Sequence, residues 1–220
     1  MLQAMDIDFD TLSAYQRYKL MASLIVPRPI ALVTTLSPTG VVNAAPFSMF
    51  NMMGEDPPIV MLSVNRLTDG GLKDTAANIA RSREFVVHLS DEAIAEQMHR
   101  CGDRLPADQS ELDHVGLHTV PSLRVAPPCI AEAPVAFECV LWETLETESR
   151  QIFIGRVLML HARDGLVDTD TWRVRLQDYH PVARFGASFY IRTRERFAMG
   201  DSQAGAAPAA APTTTPIDEM

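Results

Sequence analysis

The chain has 220 residues, 47% of them hydrophobic, and a formal net charge of -9. That length supports a real core in one large domain or two small ones. The acidic balance argues against nucleic acid or an anionic membrane as main partner, and no apolar run approaches the ~20 residues of a membrane span. The N-terminal stretch "MLQAMDIDFDTLSAY" lacks a basic segment followed by an apolar one, so it does not read as a signal peptide. Cys101, Cys129 and Cys139 are odd in number and show no CxxC spacing, which fits reduced thiols and a cytoplasmic location.

In chain order, Asp10 is a plausible N-cap for a short helix over "TLSAYQRYKLMAS", which Pro27 and Pro29 end. "IALVTTL", the turn "SPTG" and "VVNAAPFSMF" predict a β-hairpin over residues 30–50, with Pro46 marking an edge, a bulge or a strand end. "PPIVMLSV" reads as a buried strand and "KDTAANIARS" as a helix. "EFVVHL" is a further strand, after which Ser90 is expected to cap a helix over "DEAIAEQMHR".

Residues 102–133 read as irregular. "PVAFECVLWETLE" and "QIFIGRVLMLHA" predict two long antiparallel strands, and "HPVARFGASFYIR" a final mixed segment. From Gly200 the Ala/Pro/Thr-rich composition cannot repay its ordering entropy, so residues 200–220 are expected to form a disordered tail behind a domain of residues 1–199. Strands that follow one another without regular helical crossovers predict a mainly β, α+β domain rather than a βαβ fold.

Few segments carry a known chemistry. No GxGxxG, GxxxxGK[ST] or GxSxG pattern occurs. Glu111, His114 and His118 lie close in sequence, but no further ligand pattern frames them as a metal site. His99 beside Cys101 reads as an inert thiol at a helix end, and Glu138, Glu143, Glu146 and Glu148 as a solvated strand face. Two stretches stand out. In "SVNRLTDGGLKDTAANI" one of only two lysines, Lys73, sits between a glycine pair and a helix start. An arginine, a lysine and free helix amides at one point would hold an anion. In "VVNAAPFSMFN" small residues interrupt a strand, leaving room for a flat polar ring against the backbone.

The run "PRPIALVTTLSPTGVVNAAPFSMFNMMGEDPPIVMLSVNR", followed by "KDTAANI", "FVVHLS" and "HPVARFGASFY", closely resembles the flavin reductase-like family of FMN-binding split-barrel proteins over residues 18–195. The resemblance implies a Greek-key split β-barrel with short peripheral helices, a homodimer, and FMN near the subunit interface. It implies flavin contacts at Thr34 and Thr35 and at Asn43, Ala44, Ala45, Pro46, Phe47 and Ser48, the second group largely through the backbone. Ser63, Asn65 and Arg66 would meet the ribityl chain and phosphate, and Lys73 and Thr75 would complete the phosphate site. His180, Arg184 and Tyr190 match a segment near the flavin, and His180 and Arg184 are the residues implied to guide the hydride donor.

The activity implied is NAD(P)H:flavin (FMN) oxidoreductase, with reduced flavin passed to a monooxygenase or to ferric iron. A direct reductase of a nitro or quinone compound and a flavin electron carrier are the alternatives. A flavin carries the electron chemistry, so such a protein needs no nucleophile or metal of its own.

Overall fold

Seven antiparallel strands in one strongly curved sheet organise the chain in the computed structural model, which describes residues 5–106, 108–197 and 199. The expected tail, residues 200–220, lies outside the described residues. In chain order the elements are α1 (Ala14–Leu24), β1 (Arg28–Pro29), β2 (Ala31–Leu36), β3 (Val42–Phe47), β4 (Phe50–Glu55) and β5 (Pro58–Asn65). Next come α2 (Asp74–Ser82), β6 (Glu84–Leu89), α3 (Ala95–Arg100), α4 (Glu111–Val115), β7 (Thr119–Val120) and β8 (Cys129–Ile130). The long strands β9 (Val135–Glu146) and β10 (Arg150–Ala162) follow, then β11 (Val167–Asp168), β12 (Arg173–Val174), β13 (Val182–Gly186) and β14 (Phe189–Arg192).

The sheet order is β3-β2-β6-β9-β10-β5-β4, so β3 and β4 lie at opposite edges. Only Ser48 and Met49 separate them in sequence. The sheet must therefore curl until its edges approach, and the Ser63 amide, donating to the Met49 carbonyl at 2.9 Å, carries the β4–β5 pairing one residue back toward β3. The result is a mainly β split barrel. The expected hairpin over residues 30–50 is thus β2 and β3 alone, and its last residues already open the opposite edge. Pro46 pairs with Leu32 on the edge strand β3, where a missing amide costs no ladder bond.

The barrel interior holds Val33, Leu62, Phe85, Val87 and Phe153, all fully buried. Gly155 is dictated by this packing: a Cβ there would lie 2.3 Å from Phe85 Cζ. A second apolar cluster of Leu32, Met98, Leu112 and Ile130 seats α3 and α4 against the outer face of β2 and β3.

Three local expectations change. Helix α1 is capped by Ser13, not Asp10: Ser13 Oγ accepts from the Gln16 amide at 3.3 Å and Gln16 Oε1 accepts from the Ser13 amide at 2.8 Å. This reciprocal pair satisfies two orphan donors, whereas Asp10 lies inside a 3-10 turn capped by Asp8. Ser90 is buried and its hydroxyl finds no partner among the described residues, while Asp91 accepts from the Ala93 amide at 3.0 Å and caps the following turn.

Glu138 does not face solvent; it is fully buried. Its carboxylate accepts the amides of Leu123, Arg124 and Val125 at 2.8, 2.6 and 3.0 Å, and His161 Nε2 at 2.5 Å. Burial raises its carboxyl pKa, but these donors, chiefly the Leu123 amide and His161, outweigh that and hold it below the ordinary value. Periodicity could not reveal this, because three of the four partners come from the irregular segment 123–125 and the fourth, His161, from the far end of β10.

Candidate functional site

Strand β5 ends at Asn65, and the chain turns through Leu67–Gly70, where Gly70 takes a left-handed φ of +86°. It then delivers Lys73 as the N-cap of α2. No side chain caps the first amides of that helix. Lys73 is half-buried, and its pKa is lowered first by burial and then by two positive neighbours, Arg104 and Arg150. Arg150 reaches toward Ser63 Oγ at 3.5 Å. None of these three cations forms an ion pair among the described residues. Converging like charges beside uncapped helix amides form a site for an anion.

Arg150 also connects this centre to a neighbouring cleft, since its guanidinium lies 5.9 Å from the centroid of the Tyr18 ring. The cleft has a volume of about 520 Å³ and runs between α1, the end of β3, α3 and the β13–β14 hairpin. Pro46, Phe47 and Ser48 line one side, and Tyr15, Tyr18 and Lys19 of α1 line another. Arg28, Arg184 and Tyr190 stand in one row across β1, β13 and β14, because Arg28 pairs with Arg184 and Arg184 with Tyr190. The Arg28 guanidinium donates to the Ile25 carbonyl at 3.0 Å and to the Ala22 carbonyl, so it pins the end of α1. Arg184 lies 4.7 Å from the Tyr190 ring centroid, and the Tyr190 hydroxyl is 2.8 Å from His99 Nδ1.

The residues singled out in the sequence therefore divide into groups. Lys73 and Ser63 belong to the anion centre. Pro46, Phe47, Ser48, Arg184 and Tyr190 line the cleft. Thr35, Asn43 and Thr75 meet in a polar knot with Asn78: Asn43 Nδ2 donates to Thr75 Oγ1 at 2.9 Å and Asn78 Nδ2 to Thr35 Oγ1 at 3.1 Å. This knot fixes α2 on β2 and β3, leaving the Thr75 amide at the helix start.

Thr34 is buried and donates to the Pro128 carbonyl at 2.7 Å. The Ala44 amide is taken by Glu111 at 2.8 Å, and Ala45 packs against the barrel core. Asn65 is exposed and donates to the Arg66 carbonyl at 3.2 Å. Arg66 is committed to Glu146 at 3.3 Å, so it does not join the unpaired cations. His180 does not line the cleft; its Nδ1 accepts from Arg196 Nη2 at 2.9 Å.

Sequence reading missed Arg104 and Arg150 at the anion centre, and Tyr15, Tyr18, Lys19, Arg28 and His99 in the cleft. Arg28 lay in plain view between two prolines, and Lys19 is the other lysine of the chain. Arg150 left no local signal, because its role depends on pairing opposite Asn65.

The remaining histidine and glutamate clusters are paired within the chain. Glu111, His114 and His118 do not converge: Glu111 takes the Ala44 amide, His114 faces Arg100 and His118 faces Glu132. Cys129, Glu138 and His161 come within 4.8 Å of one another. Both Glu138 oxygens are already saturated by donors, so this trio locks the 122–125 loop. All three cysteines are buried and free, and burial pushes the Cys101 thiol up to about 12.

The Flavin reductase like domain model matches residues 21–180. The chain belongs to the flavin reductase-like family. The protein YwrF of Bacillus subtilis is 42% identical to this family member over 196 residues, which is 86% of this chain and 95% of that one. The solved 2-nitrobenzoate 2-nitroreductase NbaA of Pseudomonas fluorescens shares 36% identity, with a TM-score of 0.82, over 96% of this chain and 100% of that one. Nitrilotriacetate monooxygenase component B of Bacillus cereus shares 32%, with a TM-score of 0.83, over 89% and 98%. A solved structure with a split barrel domain matches with a TM-score of 0.74 at 20% identity, which supports the fold. No described helix is long and apolar enough to cross a membrane.

Proposed function

We propose that this flavin reductase-like protein binds FMN and accepts hydride from NAD(P)H, acting as a flavin reductase. The observation that carries this reading is the anion centre. Lys73, Arg104 and Arg150 gather near the uncapped start of α2 with no ion pair among the described residues, next to a cleft lined by tyrosines. A phosphate monoester fits these donors in charge and kind: ammonium, guanidinium and backbone amide. Lys73, Arg150 and the Thr75 amide would hold the phosphate, Ser63 would meet the ribityl chain, and the Pro46–Ser48 backbone would flank the ring.

Bound FMN supplies two-electron chemistry between nicotinamide and acceptor. The chain's own part is to orient the reactants and shield the ring edge. Arg184 and Tyr190 line the cleft and would position a donor; His180 is held by Arg196 outside the lining.

Similarity to a monooxygenase component B supports delivery of reduced flavin to a monooxygenase. A second reading, direct reduction of an organic acceptor, is favoured by the cationic character of the cleft and by similarity to a nitroreductase. A homodimer is part of the proposal: Met52, Met53, Trp142, Leu145 and Leu160 are large apolar side chains exposed on β4, β9 and β10, apolar area of the kind a second copy would cover. The domain is taken as residues 1–199, working in the cytoplasm.

Anaerobic stopped-flow reduction of FMN-loaded protein tests the reading. NADH or NADPH is expected to bleach the bound flavin near ~450 nm much faster than free FMN. Reduction no faster than free FMN by either nucleotide would leave an electron carrier.

A further inference from the structure

The cleft holds more positive charge than a phosphate site on α2 explains. Lys19, Arg28 and Arg184 all line it, Asp103 is the one carboxylate among its lining residues, and none of the three cations forms an ion pair among the described residues. The chain as a whole carries -9, so this concentration runs against its composition. The register sharpens the point. Arg28 and Arg184 stand directly opposite each other on antiparallel β1 and β13. Like charges in that relation are destabilising unless something between them compensates. Arg28 is buried and spends its donors on the Ala22 and Ile25 carbonyls and on Ser48 Oγ at 3.5 Å. Arg184 donates to the Ala187 carbonyl and rests on Tyr190, leaving its positive charge unpaired at the cleft.

The rest of the lining is flat and apolar. Tyr15, Tyr18 and Tyr190 present rings, while Ile30, Phe47 and Met98 provide an apolar floor. Each of the three rings already lies beside a cation: Lys19 Nζ is 5.6 Å from the Tyr15 centroid, Arg150 5.9 Å from Tyr18 and Arg184 4.7 Å from Tyr190. About 520 Å³ is a volume typical of small-molecule sites.

We propose that the cleft binds a small aromatic carboxylate, its ring among Tyr15, Tyr18 and Tyr190 and its carboxylate on Arg184. An aromatic ring supplies the face that the tyrosines and apolar floor can cover, and a carboxylate matches the guanidinium fork. This names the substrate class for the direct-reductase reading above. It rests on that reading for the use made of the ligand, not for its binding.

Isothermal titration of the full chain, both flavin-free and FMN-loaded, with benzoate, benzamide and acetate tests the inference. Benzoate is expected to bind at least ~10-fold more tightly than neutral benzamide and than acetate, as one lost charge-assisted contact or one lost ring would dictate. Arg184→Gln should remove most of the preference for benzoate over benzamide. Arg192→Gln, which removes the same charge from the exposed pair with Glu92, should leave it intact.

Equal binding of benzoate and benzamide would overturn the inference, as would acetate binding as well as benzoate, or an unchanged preference in Arg184→Gln. The two readings fail separately. Benzoate binding without FMN binding would sink the flavin reading alone, and FMN binding without benzoate selectivity would sink this one alone.

Discussion

Two groups of buried or half-buried polar side chains in this barrel have opposite characters. Around Glu138 and His88 every donor meets an acceptor from the same chain. Glu138 takes three amides and His161, while His88 Nδ1 faces the Leu32 carbonyl at 2.9 Å and its Nε2 accepts the Ile130 amide at 2.9 Å. Around Lys73 and Arg184 positive charges outnumber carboxylates, and no carboxylate pairs with either residue among the described residues. The first group is complete without a ligand and the second is not. Satisfied polar networks specify a fold; cations without ion-pair partners at a cleft mark where something else binds.

Substitutions that cut the closed group should cost stability, and those in the open group should cost binding. The largest expected effect is Glu138→Ala, which strands three amides and His161. It should destabilise the protein by about 3–5 kcal/mol in urea unfolding. A loss below ~1 kcal/mol would show that the 122–125 loop repacks and that the network is not structural.

Acid should act on the same group. Burial, opposed by the bond to Leu32 and aided by His161, lowers the His88 pKa from 6.5 to about 4. The folded state thus favours neutral imidazole and the unfolded chain the protonated form. His88's contribution is complete above pH 6.5 and is lost as pH falls toward about 4, by up to about 3 kcal/mol. The lowered Glu138 pKa has the same sign, its share present above 4.5 and lost below it. Unfolding free energy that stays flat between pH 6.5 and 4 would contradict this assignment.

In the open group, Arg150→Gln is expected to weaken FMN about tenfold, with little change in melting temperature. A stability loss without an affinity loss would move Arg150 into the closed group. The smallest effect is expected from the thiols. Cys101→Ser, Cys129→Ser and Cys139→Ser should retain NAD(P)H oxidation, because all three cysteines are buried and their pKa values are raised, chiefly by burial. Loss of turnover in a folded serine variant would require a thiol in the chemistry.

Much of the fold was legible because its signals are local. β-Branched runs bounded by turn residues marked β2, β5 and β6, and Pro46 narrowed its strand to an edge, a bulge or a strand end, of which the fold takes the edge. Lys73 was legible because a rare residue stood between glycines and a helix start. What escaped was whatever depends on register or on a distant partner. The row of Arg28, Arg184 and Tyr190 exists only once β1 pairs with β13 and β13 with β14. Arg150 counts only because it pairs opposite Asn65. Glu138 reads as a surface residue until the irregular 122–125 segment folds over it. The caps at Ser13 and Asp91 were each displaced from the expected residue because several polar residues competed within a few positions.

The most direct test of the central claim is an equilibrium titration of the wild-type protein and Lys73→Ala with FMN and with riboflavin. Lys73, with Arg150 and the α2 amides, is proposed to hold the phosphate that riboflavin lacks. The wild type should therefore bind FMN more tightly than riboflavin. Lys73→Ala should weaken FMN about ten- to a hundredfold while leaving riboflavin nearly unchanged. Equal losses for both flavins, or a wild type that does not distinguish them, would contradict the assignment of this centre to the flavin phosphate.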